Sequence, residues 1–124
     1  MQNMIDSGVL YAKQRKQFGE PLIKFQAIQD KIARSRMKLD AARLLIYKSA
    51  VKKDQGLPAP IESSIAKVYA TEASNEVAYD MGQIFGGYSF IHEFPIERAY
   101  RDTRLGTIGA GTSEVMRSII AANT

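Results

Sequence analysis

Residues 25–51 repeat apolar side chains at the period of an α-helix. The repeat is carried by Ile28, Ile32, Leu39, Ala42 and Ile46, whose spacings of three, four and seven place them on one helix face. Such a long amphipathic helix buries its apolar face against other helices in a bundle. The pattern therefore predicts a helical bundle with these five side chains in its core.

Helical patterns lie on both sides of this stretch. One covers residues 4–15 and ends at "FGEPLIKF", and a second, after the breaker "DQGLPAP", covers about 61–84. The double glycine "GG" at 86–87 ends it, a short helical turn follows near 95–102, and a last helix covers about 113–122. No segment alternates for long enough to require a strand. We therefore expect an all-α fold, an antiparallel up-down four-helix bundle with short extra C-terminal helices.

Composition excludes several classes of function. The 124-residue chain has no cysteine and one histidine, so it has no disulfide framework, no thiolate nucleophile and no multi-histidine zinc site. We expect no metal. The net charge of +4 comes from basic residues spread among acids on helical faces, which predicts a solvated surface and no nucleic-acid partner. No apolar run approaches the ~20 residues of a membrane span, and the cytoplasm is the expected location.

The segment "QRKQFGEPLIKFQ" combines side chains that suit a nucleotide. Arg15 offers a planar fork of donors for a phosphate, Phe18 a flat apolar face, and Gln26 an amide that both donates and accepts. The simpler interpretation is that Arg15 favours a helix C-terminus and that Phe18 is a buried loop anchor. The segment alone leaves both interpretations open.

Two glycine-containing turns are further candidate binding sites. In "QIFGGYS", Gly86 and Gly87 would let a ligand touch the backbone beside Gln83, although a plain helix stop explains them equally. The turn "GAGTSE" lacks the preceding strand and the third glycine of a dinucleotide fingerprint. It opens a helix at Thr112, so it is either a site for an anion or carbonyl or a tight turn with an ordinary N-cap.

The order and spacing of these motifs are more specific than any one of them. Arg15-x-x-Phe18-Gly19 with Phe25-Gln26, then Gln83-x-x-Gly86-Gly87 with Arg101-Asp102, then Gly111-Thr112 follow one another along the chain. This series resembles the C-terminal helical domain of the acyl-CoA dehydrogenase family over residues 1–124. The resemblance implies a flavoprotein that uses FAD to oxidise the α,β bond of acyl-CoA substrates and is usually a homotetramer. It implies electron-transfer flavoprotein or a similar acceptor, and an N-terminal domain and a middle β domain that are absent from this chain.

The resemblance also implies a role for each matching residue. Arg15, Phe18 and Gln26 would contact the ADP portion of FAD in a neighbouring subunit. Gln83, Gly86 and Gly87 would reach the adenine-side phosphates across an interface, whereas Thr112 and Glu114 would meet the FAD of the chain's own site. The substrate thioester carbonyl would lie at Ala110 and Gly111, where the Ala110 N–H would donate a hydrogen bond to it.

Two positions depart from the family pattern. Ser89 replaces a glycine that many members carry after the double glycine, which affects the expected loop geometry. Ala110 stands where many members carry the catalytic glutamate, so we assign no catalytic residue within the chain. The GAGT turn resembles the isovaleryl and long-chain branch, in which that glutamate lies on the first helix of this domain, upstream of Met1. Glu114 follows the turn and suits a first-turn acid better than a base.

These expectations lead to one preferred function and two alternatives. The preferred one is the C-terminal domain of an FAD-dependent acyl-CoA dehydrogenase, which supplies FAD and oligomer contacts and is inactive by itself. The first alternative is a non-catalytic helical assembly or partner subunit, and the second is another flavin-dependent oxidation within the same superfamily. Met1 lacks an entry loop and a capping residue, which suggests that the chain is the tail of something longer.

Overall fold

A computed structural model describes all residues, 1–124. The helices are α1 (Gln2–Gln14), α2 (Gln26–Asp54), α3 (Pro60–Phe85), α4 (Pro95–Gly106) and α5 (Ser113–Ala122). Two short 3₁₀ helices, Leu22–Lys24 and Gly86–Phe90, and a small hairpin of β1 (Lys16–Gln17) and β2 (Glu20–Pro21) complete the chain. The predicted all-α class is confirmed. None of the helices has both the length and the apolar content needed to cross a membrane.

Helix α3 is the central helix, because α1, α2, α4 and α5 all pack against it. It runs antiparallel to α2, as two cross-helix bonds show: the Ser49 and Ser63 hydroxyls are 2.8 Å apart, and Lys52 lies 2.8 Å from Glu62. The second of these joins the end of α2 to the start of α3. A five-residue connection, residues 55–59, therefore brings the two longest helices side by side.

Helix α1 runs parallel to α3, and α4 runs antiparallel to it. The Tyr11 ring of α1 stacks on Phe85 with ring centroids 4.3 Å apart, near the last turn of both helices. Gly106, at the end of α4, lies against Thr71, in the first half of α3. Helices α1 to α4 are thus the up-down-up-down bundle, and α5 is an additional short helix on α3.

The core consists mostly of side chains from α1 and α3. Its buried members are Met4, Ile5, Ala12, Leu39, Val77, Ala78, Met81, Ile84, Phe85 and Ile96. One buried charge accompanies them: the Asp80 carboxylate lies 3.4 Å from both the Lys31 ammonium and the Arg34 guanidinium, and only 5% of Asp80 is exposed. A buried acid needs such partners, because leaving an unpaired charge in the interior is costly. The pairs also tie the start of α2 to the end of α3.

The predicted core face of α2 is partly wrong. Leu39 and Ala42 are buried and Ile28 and Ile32 pack half-buried against the core, but Ile46 is 47% exposed. Gln2 of α1 bonds to Arg43 of α2, and Ile46 lies about one helical turn beyond this contact. The period of the apolar residues cannot reveal where a neighbouring helix ends.

The expectation that the chain contains no strand is also wrong at one place. Lys16 pairs with Pro21 and Gln17 pairs with Glu20, which leaves a two-residue turn at Phe18 and Gly19. Both turn residues have positive φ, +52° and +83°, as a tight turn between twisted strands requires. Two-residue strands are too short to produce a detectable alternation of apolar and polar residues.

The corrected core face can be tested with one pair of variants. We expect Ile32→Ala to lower the free energy of unfolding by about 1–2.5 kcal/mol, about half the cost of emptying a fully buried site. Ile46→Ala should lower it by clearly less, because 47% of Ile46 is exposed and it does not pack against the core cluster. Urea denaturation measures both, and equal losses would contradict the assignment.

Candidate functional site

Two of the distant motifs meet at a cavity of about 550 Å³ at the C-terminal ends of α1 and α3. Arg15 reaches it from the residue after α1, while Gln83, Gly86 and Gly87 reach it from the end of α3. Gly86 takes φ +59°, the left-handed conformation that ends α3 and turns the chain over the cavity. The parallel course of α1 and α3 therefore brings together four of the residues singled out in the sequence.

Aromatic rings form one wall of this cavity. Tyr11, Phe85 and Tyr88 all line it, and the Arg15 guanidinium lies over the Tyr88 ring, 5.8 Å from its centroid. This contact with the ring orients the guanidinium through cation–π attraction. Arg15 forms no ion pair within the chain, so its donors remain available to an external anion.

Phe18 and Gln26 lie beside the cavity but do not line it. The Phe18 side chain stands at the tip of the hairpin, 94% exposed, and forms a T-shaped pair with the Phe25 ring at a centroid distance of 6.3 Å. Interpreting Phe18 as a buried loop anchor is therefore wrong. Gln26 is the exposed first residue of α2. Phe18 thus combines a strained backbone conformation with an aromatic ring that little of the chain covers. This combination is typical of a surface that meets another molecule.

Ser89 fits the loop without strain. It lies in the 3₁₀ turn with ordinary negative φ, and its hydroxyl donates a 2.8 Å hydrogen bond to the Gly86 carbonyl. Serine in place of the family's glycine therefore adds a hydrogen bond that stabilises the loop. On the other side of Gln83, a second cavity of about 450 Å³ is lined by Tyr79, Tyr100 and Arg101.

The second candidate site is the turn between α4 and α5. Ala110 and Gly111 both have positive φ, +53° and +94°. Around them, the Ser113 N–H donates to the Thr107 carbonyl at 3.1 Å, and the Thr112 hydroxyl accepts from the Val115 N–H at 3.3 Å. The backbone N–H groups of Ala110, Gly111 and Thr112 donate no hydrogen bond within the chain. Three consecutive free donors at a helix N-terminus can bind an anionic or carbonyl oxygen.

The carboxylate that follows this turn in the sequence is that of Glu114. Its pKa lies below the usual glutamate value, because the Glu114 backbone N–H and the Thr112 hydroxyl both hydrogen-bond to the charged form. Glu114 is therefore ionised at neutral pH, and the lowered pKa makes it a weaker base. Ala110 itself contributes only its methyl group and backbone. The turn residues Ala110, Gly111 and Thr112 thus supply donors and no base of their own.

The two candidate sites lie at opposite ends of α3. Lys67, near the start of α3, donates a hydrogen bond to the Gly111 carbonyl, whereas Phe85 and Gly86 close the other end. The 18 residues between Lys67 and Phe85 span about 27 Å of helix. The chain therefore presents Arg15, Gln83, Gly86 and Gly87 as one group, and Ala110, Gly111, Thr112 and Glu114 as a separate one.

Sequence reasoning missed three residues of these sites. Tyr11 precedes Arg15 by four residues, and the Arg15 N–H donates to the Tyr11 carbonyl at the end of α1, so this spacing could have linked the two. Tyr88 lies within the motif "GGYS" but was not considered as a partner for Arg15. Lys67 carries no local signal, because it is 44 residues from the carbonyl it binds.

Known proteins share both the sequence and the fold. The family profile described as "Acyl-CoA dehydrogenase, C-terminal domain" matches residues 1–124. The chain is 50% identical over 122 residues to a 3-(aryl)acrylate reductase of Clostridium sporogenes, a match that covers 98% of the chain and 32% of that protein. It is 46% identical over 120 residues to caffeyl-CoA reductase-Etf complex subunit CarC of Acetobacterium woodii, covering 97% of the chain and 32% of that subunit.

A solved structure agrees with these relatives. The three-dimensional structure of butyryl-CoA dehydrogenase from Megasphaera elsdenii superposes with a TM-score of 0.97 at 40% identity, covering 98% of this chain and 32% of that one. The chain spans about a third of the length of the curated relatives it matches. None of these matches confirms the isovaleryl and long-chain branch suggested by the GAGT turn. The profile, the relatives and the fold together show that the chain belongs to the acyl-CoA dehydrogenase family, as its C-terminal helical domain.

Proposed function

We propose that this domain serves an FAD-dependent enzyme that dehydrogenates acyl-CoA thioesters at the α,β bond. The observation that carries the proposal is the row of free N–H donors at Ala110, Gly111 and Thr112. The Ala110 N–H donates to the thioester carbonyl and stabilises the negative charge that develops there as the α-proton leaves. Gly111 has no side chain, so the substrate can approach the backbone closely.

The residues of both sites fit the parts of FAD. Thr112 and Glu114 offer a hydroxyl and a carboxylate to the flavin cofactor of the chain's own site. At the other end of α3, the unpaired Arg15 guanidinium suits a phosphate of the ADP portion, and the exposed Phe18 ring suits a planar base. Gly86 and Gly87 have open space where side chains would lie, beside the free amide of Gln83. Gln26, the exposed first residue of α2, is the last residue that we assign to the ADP portion of FAD. FAD, when bound, accepts the hydride from the β-carbon.

The base for proton removal comes from outside residues 1–124 in this proposal. Abstraction of the α-proton needs a carboxylate within hydrogen-bonding reach, and Ala110 has none. Glu114 holds its charge through hydrogen bonds to Thr112 and to its own backbone. Residues 1–124 alone should therefore not oxidise an acyl-CoA, while they contribute binding and assembly contacts.

A second candidate is the reverse reaction, reduction of an α,β double bond conjugated to an aryl group. The two relatives at 50% and 46% identity are named as reductases of an aryl acrylate and of caffeyl-CoA. The donor row serves this direction as well, because the same enolate-like charge develops on the carbonyl oxygen. The two candidate reactions therefore differ in their substrates, a saturated acyl-CoA or an aryl-conjugated double bond, and not in what they require of the turn.

The proposed partners follow from the same family. An exposed apolar face on α2, made of Met37, Leu44, Tyr47 and Val51, supports contact with a further copy or with the other dehydrogenase domains. The name of CarC places that relative in a complex with Etf, which supports an electron-transfer flavoprotein or similar acceptor for this protein. The proposed location is the cytoplasm.

Anaerobic spectroscopy on the full-length protein tests this function. We expect purified protein to carry flavin, and an acyl-CoA substrate to bleach its visible absorbance as the flavin is reduced. Reoxidation of the prereduced flavin by an aryl-acrylyl-CoA, with no bleaching by acyl-CoA, would select the reductase candidate instead. A colourless protein that binds neither FAD nor CoA thioesters would overturn both and favour a non-catalytic assembly subunit.

A further inference from the structure

Lys67 connects the central helix α3 to the turn between α4 and α5. Its side chain is half-buried on α3, and its ammonium group donates a hydrogen bond to the Gly111 carbonyl. No other side chain from α1, α2 or α3 hydrogen-bonds to residues 109–112. The bond is charge-assisted and partly shielded from water, which makes it stronger than a bond between neutral groups. It therefore anchors the middle of the donor turn to the central helix.

The turn needs an anchor because its backbone conformation is unfavourable. Ala110 has φ +53° although it carries a Cβ, and Gly111 has φ +94°. A Cβ on Gly111 would lie 2.5 Å from the Met116 methyl group, so the turn also packs tightly on α5. The hydrogen bond from the Ser113 N–H to the Thr107 carbonyl closes the base of the turn. It leaves the N–H groups of Ala110, Gly111 and Thr112 without a partner inside the turn. Without Lys67, the Gly111 carbonyl would lose its hydrogen bond within the chain.

The bond also acts on the donors themselves. The Gly111 carbonyl and the Thr112 N–H belong to the same peptide group, so fixing the carbonyl fixes the direction of that N–H. A cation on the carbonyl oxygen polarises the peptide and makes its N–H a better donor. The Gly111 N–H and the Ala110 N–H precede it directly in the same turn.

We propose that Lys67 is a positioning residue for the carbonyl-binding turn, which it orients and polarises through the Gly111 carbonyl without touching substrate. The inference rests on the proposed function, since it assigns the turn to the thioester oxygen. It predicts that loss of the ammonium group weakens the reaction more than it weakens the fold.

The test compares three variants of the full-length flavoprotein with the wild type. Lys67→Met removes the ammonium group, Lys67→Arg keeps a cationic donor, and the control Lys52→Met removes a lysine that bonds Glu62 at 2.8 Å, away from the turn. Hydrogen exchange of the backbone N–H groups of residues 109–113 is measured by mass spectrometry. The kcat, KM and thermal midpoint are measured alongside for each variant.

We expect Lys67→Met to speed exchange of the Gly109 and Ser113 N–H groups, which bond to Leu105 and Thr107, and to lower kcat/KM about tenfold or more, as misplacing a binding group does. Most of that loss should fall on kcat, because the developing charge depends on the donors more than the bound ground state does. Lys67→Arg should recover most of the rate, and Lys52→Met should stay within about twofold of wild type. If Lys67→Met does not fold, Lys67→Gln repeats the comparison with a neutral donor and an intermediate effect.

Two results would overturn the proposal. One is unchanged exchange of the hydrogen-bonded Gly109 and Ser113 N–H groups in the folded Lys67→Met or Lys67→Gln variant. The other is a rate loss matched by an equal loss in Lys52→Met or not recovered by Lys67→Arg. Failure of the proposed function looks different. In that case no acyl-CoA would bleach the flavin of the wild-type protein, while hydrogen exchange at the turn would still report the role of Lys67.

Discussion

Replacing Met81 with alanine should lower the free energy of unfolding by about 2–5 kcal/mol, the largest stability effect we expect. Met81 is fully buried on α3. Its sulfur lies so close to Gly8 that a Cβ added to Gly8 would be only 2.5 Å from it. The side chain therefore fills the crossing of α1 and α3, and its removal leaves a cavity that the two helices cannot close. Denaturant unfolding followed by circular dichroism measures the loss.

Met37→Ala is the matched control for this prediction. Met37 is on α2 with 70% of its side chain exposed, so the same substitution should change the free energy of unfolding by less than about 0.5 kcal/mol. Because Met37 belongs to the apolar face proposed for contact with a further copy, the two variants are compared at a concentration where the protein is dissociated. Equal losses in the two variants would contradict the position of Met81 in the core.

Replacing Arg15 with alanine should weaken FAD binding by roughly 10- to 150-fold, the equivalent of about 1.5–3 kcal/mol for a hydrogen bond to a charged group. The Arg15 guanidinium lies over Tyr88, has no acidic partner in the chain and lines the cavity beside Gly86 and Gly87. Its loss removes the fork of donors that suits a phosphate. Titration of the apoprotein with FAD, followed by flavin fluorescence, measures the dissociation constant.

Lys16→Ala provides the control for charge alone. Lys16 is the next residue, is equally positive and exposed, and does not line the cavity. It should change FAD affinity by less than about threefold, the screened effect of one surface charge. If both variants weakened binding equally, general attraction and not the cavity would explain the affinity. If neither did, Arg15 would not contact the cofactor.

The membership of both candidate sites was largely predictable from sequence, whereas their arrangement was not. Arg15, Gln83 and Gly86 were recognised as separate local motifs, because glycine, arginine and amide side chains have distinct chemistry wherever they occur. Their meeting at one cavity depends on the parallel course of α1 and α3. Phe18 shows the same division, since its residue type suggested a buried anchor but the hairpin places its ring in solvent.

The all-α class and the positions of the five helices followed from sequence alone, since the period of apolar residues and the Gly and Pro breakers act over a few residues. Tertiary structure decided what depends on distant neighbours. Ile46 is exposed about one turn beyond the contact between Gln2 and Arg43, and the Gly111 carbonyl is held because Lys67 faces it across 44 residues of chain. Local periodicity carries no information about which helix ends where in space, so burial at a helix end and long-range hydrogen bonds appear only once the helices are packed.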